Sequence, residues 1–149
     1  MIILGIDPGL NRLGYGAVDD AGGRLVVIEC GVVAPRRTFS FEEKLGHIAS
    51  SLEAVVDRTG PAVLAIEEIF LAENVQTALR IGQVMGLVMG LGLRRKIGFV
   101  QIPVREIKKN IVGTGGATKD QVQFMVARLT GRRDFETPDA SDAVAAAIS

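Results

Sequence analysis

Two short apolar runs in this chain each end in a carboxylate, and that arrangement narrows the possible folds more than any other feature. Ile2-Ile3-Leu4-Gly5-Ile6 leads directly into Asp7, and Val63-Leu64-Ala65-Ile66 leads directly into Glu67. Such short, β-branched runs, bounded by turn residues, read as buried strands. A charge at the end of a core strand is expensive unless it is paired or holds a cation. Asp139 and Asp142 add two more acids, three residues apart at the start of an alanine-rich helix and hence on one helix face. If the four converge, their mutual repulsion calls for divalent cations. Oxygen-only ligands suit Mg²⁺ or Mn²⁺, the ions of phosphoryl chemistry.

The strands around these acids follow from local signals. Gly14 to Val18 is a second strand, and the turn residues Asp19 to Gly23 lead into a third, Arg24 to Ala34. Three closely spaced strands predict an antiparallel meander. Phe41 to Arg58 has helical periodicity, with Ser40 and Glu43 spaced as a capping box, and Gly60-Pro61 stops it. Val63 to Ile66 is the fourth strand, Glu73 to Lys96 a long helix, and Gly98 to Ile102 the fifth strand. Helices follow at 104–112, 118–130 and from Asp139 to the end. The order predicts an α/β fold with a central five-stranded mixed sheet and helices on both faces. Ligands bind such sheets at the carboxyl ends of parallel strands, where Asp7 and Glu67 stand.

Composition excludes several alternatives. With 149 residues, 48% of them hydrophobic, the chain forms one domain, 1–149, with one good core. Its 17 basic and 17 acidic residues cancel, so net charge alone does not announce a nucleic-acid partner. Cys30 is the only cysteine, which excludes an intrachain disulfide and fits a reducing cytoplasm. In its apolar strand it reads as a small buried hydrophobe rather than a nucleophile. No targeting leader is visible, and the apolar run 81–93 is too short to cross a bilayer.

Several motifs together resemble the RuvC Holliday-junction resolvases. They are Gly5-Ile6-Asp7-Pro8-Gly9 with Gly14-Tyr15-Gly16, then Ala65-Ile66-Glu67-Glu68-Ile69-Phe70, and Asp139-Ala140-Ser141-Asp142-Ala143. Val104-Arg105-Glu106-Ile107-Lys108, Val112-Gly113-Thr114-Gly115 and Lys119-Asp120-Gln121-Val122-Gln123 extend the likeness over essentially the whole chain. The resemblance implies a ribonuclease-H-like fold and a homodimer. It also implies a Mg²⁺-dependent endonuclease that cuts four-way DNA junctions, leaving 5′-phosphate and 3′-hydroxyl ends. Asp7, Glu67, Asp139 and Asp142 would be its metal-binding catalytic carboxylates, with one or two ions per subunit; some members carry histidine at the position of Asp139. RuvA and RuvB, the branch-migration proteins, are the partners the resemblance implies.

A second constellation is basic. Lys108 follows Arg105, and Lys119 follows the glycine-rich stretch 113–116 at a helix start, where backbone N–H groups and a point charge suit phosphate. In the family, the residues matching Lys108 and Lys119 hold DNA near the metals. Lys109, Arg94, Arg95, Lys96, Arg132 and Arg133 read as a solvated surface. Phe70, three residues beyond Glu67, either stacks on an unpaired base, the wedge role that the resemblance supports, or packs beneath the following helix. Gly82, Gly86 and Gly90 recur every fourth residue of the long helix, each costing about 1 kcal/mol of propensity. They serve either packing on the sheet or a second subunit.

Each acid also has a plainer explanation. Asp7 can end a strand before Pro8, Glu67 can reach solvent, Asp139 can cap a helix, and Asp142 can face a helix dipole. Glu68, next to Glu67 on a strand, faces away from any site that Glu67 faces. Two other functions share the acids or the substrate: a ribonuclease-H-like nuclease on RNA or RNA–DNA hybrids, and a non-catalytic junction-binding protein. An actin-like kinase would need a second lobe.

Overall fold

The computed structural model describes residues 1–68, 74–132 and 134–149. Phe70, expected to be a stacking residue, lies outside the described residues. Five strands form one sheet in the order β3-β2-β1-β4-β5. They are β1 (Ile2–Asp7), β2 (Leu13–Asp20), β3 (Leu25–Val33), β4 (Val63–Glu68) and β5 (Gly98–Pro103). β1, β2 and β3 pair antiparallel as a meander, while β4 joins β1 in parallel and β5 joins β4 in parallel. The expected mixed sheet is therefore present, and its topology is ribonuclease-H-like. One boundary differs in a way that matters: β4 runs through Glu68, so Glu67 is a strand residue paired with Ile102 rather than a residue beyond the strand.

Period-two alternation divides the sheet into two faces. On β1 and β4, Leu4, Ile6, Leu64 and Ile66 point into one core, which is closed by α1 (Phe41–Thr59) and α2 (Val75–Arg95). Burial of each such side chain contributes about 1.5–3 kcal/mol. The other face carries Ile3, Gly5 and Asp7 on β1 and Ala65 and Glu67 on β4. It is covered by α3 (Val104–Val112), α4 (Lys119–Thr130) and α5 (Pro138–Ile148). The sheet thus separates an all-apolar core from a face that ends in acids.

The helix starts are encoded locally. Ser40 and Glu43 make the expected capping box on α1, and Thr118 and Gln121 make another on α4. α2 begins at Val75 under an Asn74 cap, two residues later than its apolar pattern implied. α1 stops at Gly60, whose φ of 56° places it in the left-handed region that glycine tolerates best.

The three glycines of α2 do not pack on the sheet. A Cβ added at Gly82, Gly86 or Gly90 meets nothing within 4 Å. α2 buries Val84, Met85, Val88 and Leu91 instead, one helical face round from the glycines. The sheet-packing explanation for the glycine stripe is overturned.

Candidate active site

Asp7 and Glu67 are neighbours because of strand register. Ile6 pairs with Ile66, so the next residue of each strand falls side by side on the α5 face. Glu68 points to the opposite face by the same alternation, as its sequence position implied. On the other side of β1, Asp7 pairs with Gly14, which contributes no side chain next to the acid.

α5 brings in the other two acids through unusually close packing. A Cβ at Gly5 would collide with the carbonyl oxygen of Ala143, one at Gly14 with that of Asp139, and one at Gly16 with Val144. Glycine on the strands and alanine on the helix let the two backbones approach. The N-cap of α5 is Thr137, whose hydroxyl accepts from the backbone N–H of Ala140, and Pro138 opens the helix. The alternative role of Asp139 as N-cap is therefore excluded.

Electrostatics tie the four acids together. Burial, then the charges of Asp142 and Asp139, push the Asp7 carboxyl up to about 6. Burial, then Asp7 and Asp142, push Glu67 up to about 8. The acids on α5 are engaged by cations of the protein. Arg12 Nε donates to Asp139 Oδ2 at 2.7 Å, and Lys119 Nζ donates to Asp142 Oδ2 at 3.3 Å. The Asp142 charge and hydrogen bond raise the Lys119 ammonium in turn. Lys108 joins them: with Lys119, Glu67 and Asp142 it lines a cleft of about 60 Å³ between α3, α4 and α5.

The donor set suits a hard divalent cation, being all carboxylate oxygen and carrying more negative charge than the local lysines offset. Among the described residues, no three acids stand close enough to hold one ion with the side chains as they are. Arg12 and Lys119 hold the places on Asp139 and Asp142 that a cation would compete for. Arg12 was not singled out from the sequence. Its only sequence signal is its position in the β1–β2 connection, five residues after Asp7.

The remaining expectations have simpler outcomes. Arg94 pairs with Glu53 and Arg95 with Asp57 on the surface, as ordinary solvated ion pairs do. Burial raises the Cys30 thiol, the opposite of an activated nucleophile. No described helix is long and apolar enough to cross a membrane.

The chain is similar to known proteins over nearly its whole length. A model of the crossover junction endodeoxyribonuclease RuvC family matches residues 3–149. The crossover junction endodeoxyribonuclease RuvC of Pelodictyon phaeoclathratiforme is 39% identical over 149 residues, covering 99% of this chain and 78% of that protein. The RuvC of Oleidesulfovibrio alaskensis is 41% identical over 146 residues, covering 98% of this chain and 87% of that one. The structure of T. thermophilus RuvC in complex with a Holliday junction substrate superposes with a TM-score of 0.93 at 26% identity. That superposition covers 99% of this chain and 91% of the other.

Proposed function

The chain belongs to the crossover junction endodeoxyribonuclease RuvC family, and on that premise we propose how its own residues carry out junction resolution. The observation that carries the proposal is the shared charge field of two strand acids and two helix acids, with Asp7 raised by burial and by Asp142 and Asp139, and Glu67 raised by burial and by Asp7 and Asp142. Asp7, Glu67, Asp139 and Asp142 would hold one or two Mg²⁺ ions, with Mn²⁺ as a substitute. When bound, such ions supply Lewis-acid stabilisation of the phosphate and of the charge that develops on the leaving 3′ oxygen.

The residues do the rest. Asp7 and Glu67, fixed on adjacent strands, orient the site, and α5 positions Asp139 and Asp142 over them. Glu67 gives up its proton as the site is filled, because cationic charge reverses the repulsion that raised it. Lys108 and Lys119, on the cleft wall, attract the scissile phosphate and hold the strand against the acids. Water adds to phosphorus and gives up a proton, the bond to the 3′ oxygen breaks and that oxygen takes up a proton, so the products are a 5′-phosphate and a 3′-hydroxyl. Phe70 stacks on a base left unpaired at the crossover.

Two symmetric nicks need two sites, so the active species is a homodimer. An exposed apolar face of α2 supports it. Val75, Leu79, Gly82, Gly86, Gly90 and Leu93 share one side of the helix, and Val75, Leu79 and Leu93 are at least 64% exposed. RuvA and RuvB are the proposed branch-migration partners on family membership.

The test is to incubate a synthetic four-way junction, a linear duplex and an RNA–DNA hybrid with the protein and Mg²⁺. Paired symmetric nicks in the junction alone are expected, and folded Phe70→Ala is expected to lose them. Cleavage of the hybrid alone, or of nothing, refutes the reading. Binding without cleavage in Mg²⁺ would identify a junction-binding protein instead.

A further inference from the structure

A second electropositive feature lies next to the acids. A cleft of about 500 Å³ is lined by Asn11, Arg12, Ala34, Pro35, Arg37 and Lys44, where the β1–β2 connection meets the β3–α1 connection and the first turn of α1. Three of its six lining residues are cations and none is acidic. Arg12 links the cleft to the acids, since it lines the cleft and also donates to Asp139 at 2.7 Å.

Among the described residues, the other two cations have no carboxylate partner. Lys44 Nζ donates to the neutral Asn11 Oδ1 at 2.7 Å, which fixes the ammonium at the cleft wall with its charge intact. Arg37 is exposed and forms no ion pair among the described residues. The nearest acids in the chain, Glu42 and Glu43, turn back on Ser40. Glu42 accepts from the Ser40 hydroxyl at 3.0 Å, and Glu43 from its backbone N–H at 2.6 Å. Elsewhere Arg58, Arg94 and Arg95 each have a carboxylate partner. In a chain of zero net charge, a basic cleft in which two of three cations lack a carboxylate partner among the described residues is a local excess that favours a polyanion.

We propose that this cleft is a backbone-binding site for the DNA strand on the β1–β2 side of the acids, with Arg37 and Lys44 each contacting a phosphate. The assignment rests on the junction-resolving function proposed above, and extends the DNA path to the side of the acids away from Lys108 and Lys119. Such contacts position the strand without reading its sequence.

Salt dependence tests this directly. Each phosphate contact contributes about 0.9 to the slope of log affinity against log salt on duplex DNA. Binding of a labelled four-way junction is measured in EDTA by fluorescence anisotropy over a salt series. The wild type is compared with Arg37→Gln/Lys44→Gln and with Arg24→Gln, which changes a cation in the β2–β3 turn at the opposite end of the sheet. The double variant is expected to lose about 1.8 of the slope per engaged subunit, and Arg24→Gln none. Should the double variant misfold by circular dichroism, the single variants are each expected to lose about 0.9. An unchanged slope, with wild type still binding and cutting junctions in Mg²⁺, overturns the cleft assignment and leaves the function standing. A wild type that neither binds nor cuts junctions overturns both. Equal losses in Arg24→Gln would show general charge rather than a site, and also overturn it.

Discussion

Glu67→Gln should make the metal-free protein more stable while abolishing cleavage. The substitution keeps the shape of the side chain and removes only its charge. Glu67 is raised from an ordinary 4.5 to about 8, chiefly by burial and then by Asp7 and Asp142. A raised acid binds its proton more tightly in the folded state than in the unfolded one. Its contribution to stability is therefore full below 4.5 and is lost as pH climbs to about 8. At about 1.4 kcal/mol per pH unit, the fully ionised side chain costs about 5 kcal/mol, and about 3 kcal/mol has accrued by pH 7. Asp7, raised from 3.8 to about 6 by burial and by Asp142 and Asp139, adds about 3 kcal/mol. Gln at position 67 never ionises, so the variant should exceed wild type by about 3 kcal/mol at neutral pH, or roughly 10 °C in Tm. The gap should vanish near pH 4. Urea denaturation in EDTA, at one protein concentration and several pH values, measures this. A variant whose advantage over wild type does not grow with pH would refute the account of Glu67 as a buried, frustrated acid.

Three further outcomes follow from the same geometry. At pH 7 most Glu67 side chains still hold a proton, so saturating the site with Mg²⁺ in weak buffer should release about one proton per subunit; pH-stat titration with no release, or equal release from Glu67→Gln, would count against that. Gly14→Ala should cost about 3 kcal/mol and disable cleavage even where the protein stays folded, because the new methyl drives into the carbonyl of Asp139; a thermal melt within 1 °C or so of wild type contradicts the close packing of α5. Arg12→Gln should change stability by under about 1 kcal/mol, since the Arg12–Asp139 pair is half-exposed. It should tighten Mn²⁺ binding in DNA-free calorimetry, because one cation competing for Asp139 is gone, and weaker binding would show that Arg12 organises the acid instead.

Local signals carried much of the fold. The β-branched runs before Asp7 and Glu67, the Ser40–Glu43 box and the Gly60 stop act within a few residues, and they are visible wherever those residues stand. Strand alternation also assigns faces, so it separates Glu68 from Glu67 without any tertiary contact. What alternation cannot supply is register. Asp7 and Glu67 are adjacent only because Ile6 pairs with Ile66, a contact between residues sixty apart in the chain.

The site depended still more on contacts distant in sequence. Gly5, Gly14 and Gly16 look like strand weaknesses until Ala143, Asp139 and Val144 are seen pressed against them. The partnership of Arg12 with Asp139 spans 127 residues, and no local pattern marks it. Arg37 and Lys44 likewise become a cleft only when two loops and a helix start meet. The α2 glycines illustrate the reverse case. Their spacing marked a face, but only the packed sheet, filled by Val84, Val88 and Leu91, decided that this face stays open.

The sequence by itself therefore determined the element order, the acid inventory and the family, because propensity, alternation and motif are written residue by residue. The tertiary structure decided which acids share a charge field, which cations hold them, and which basic residues, among those described, stand beside them without a carboxylate partner. Electrostatic coupling and burial depend on distance in space, and the chain sets that distance only by folding.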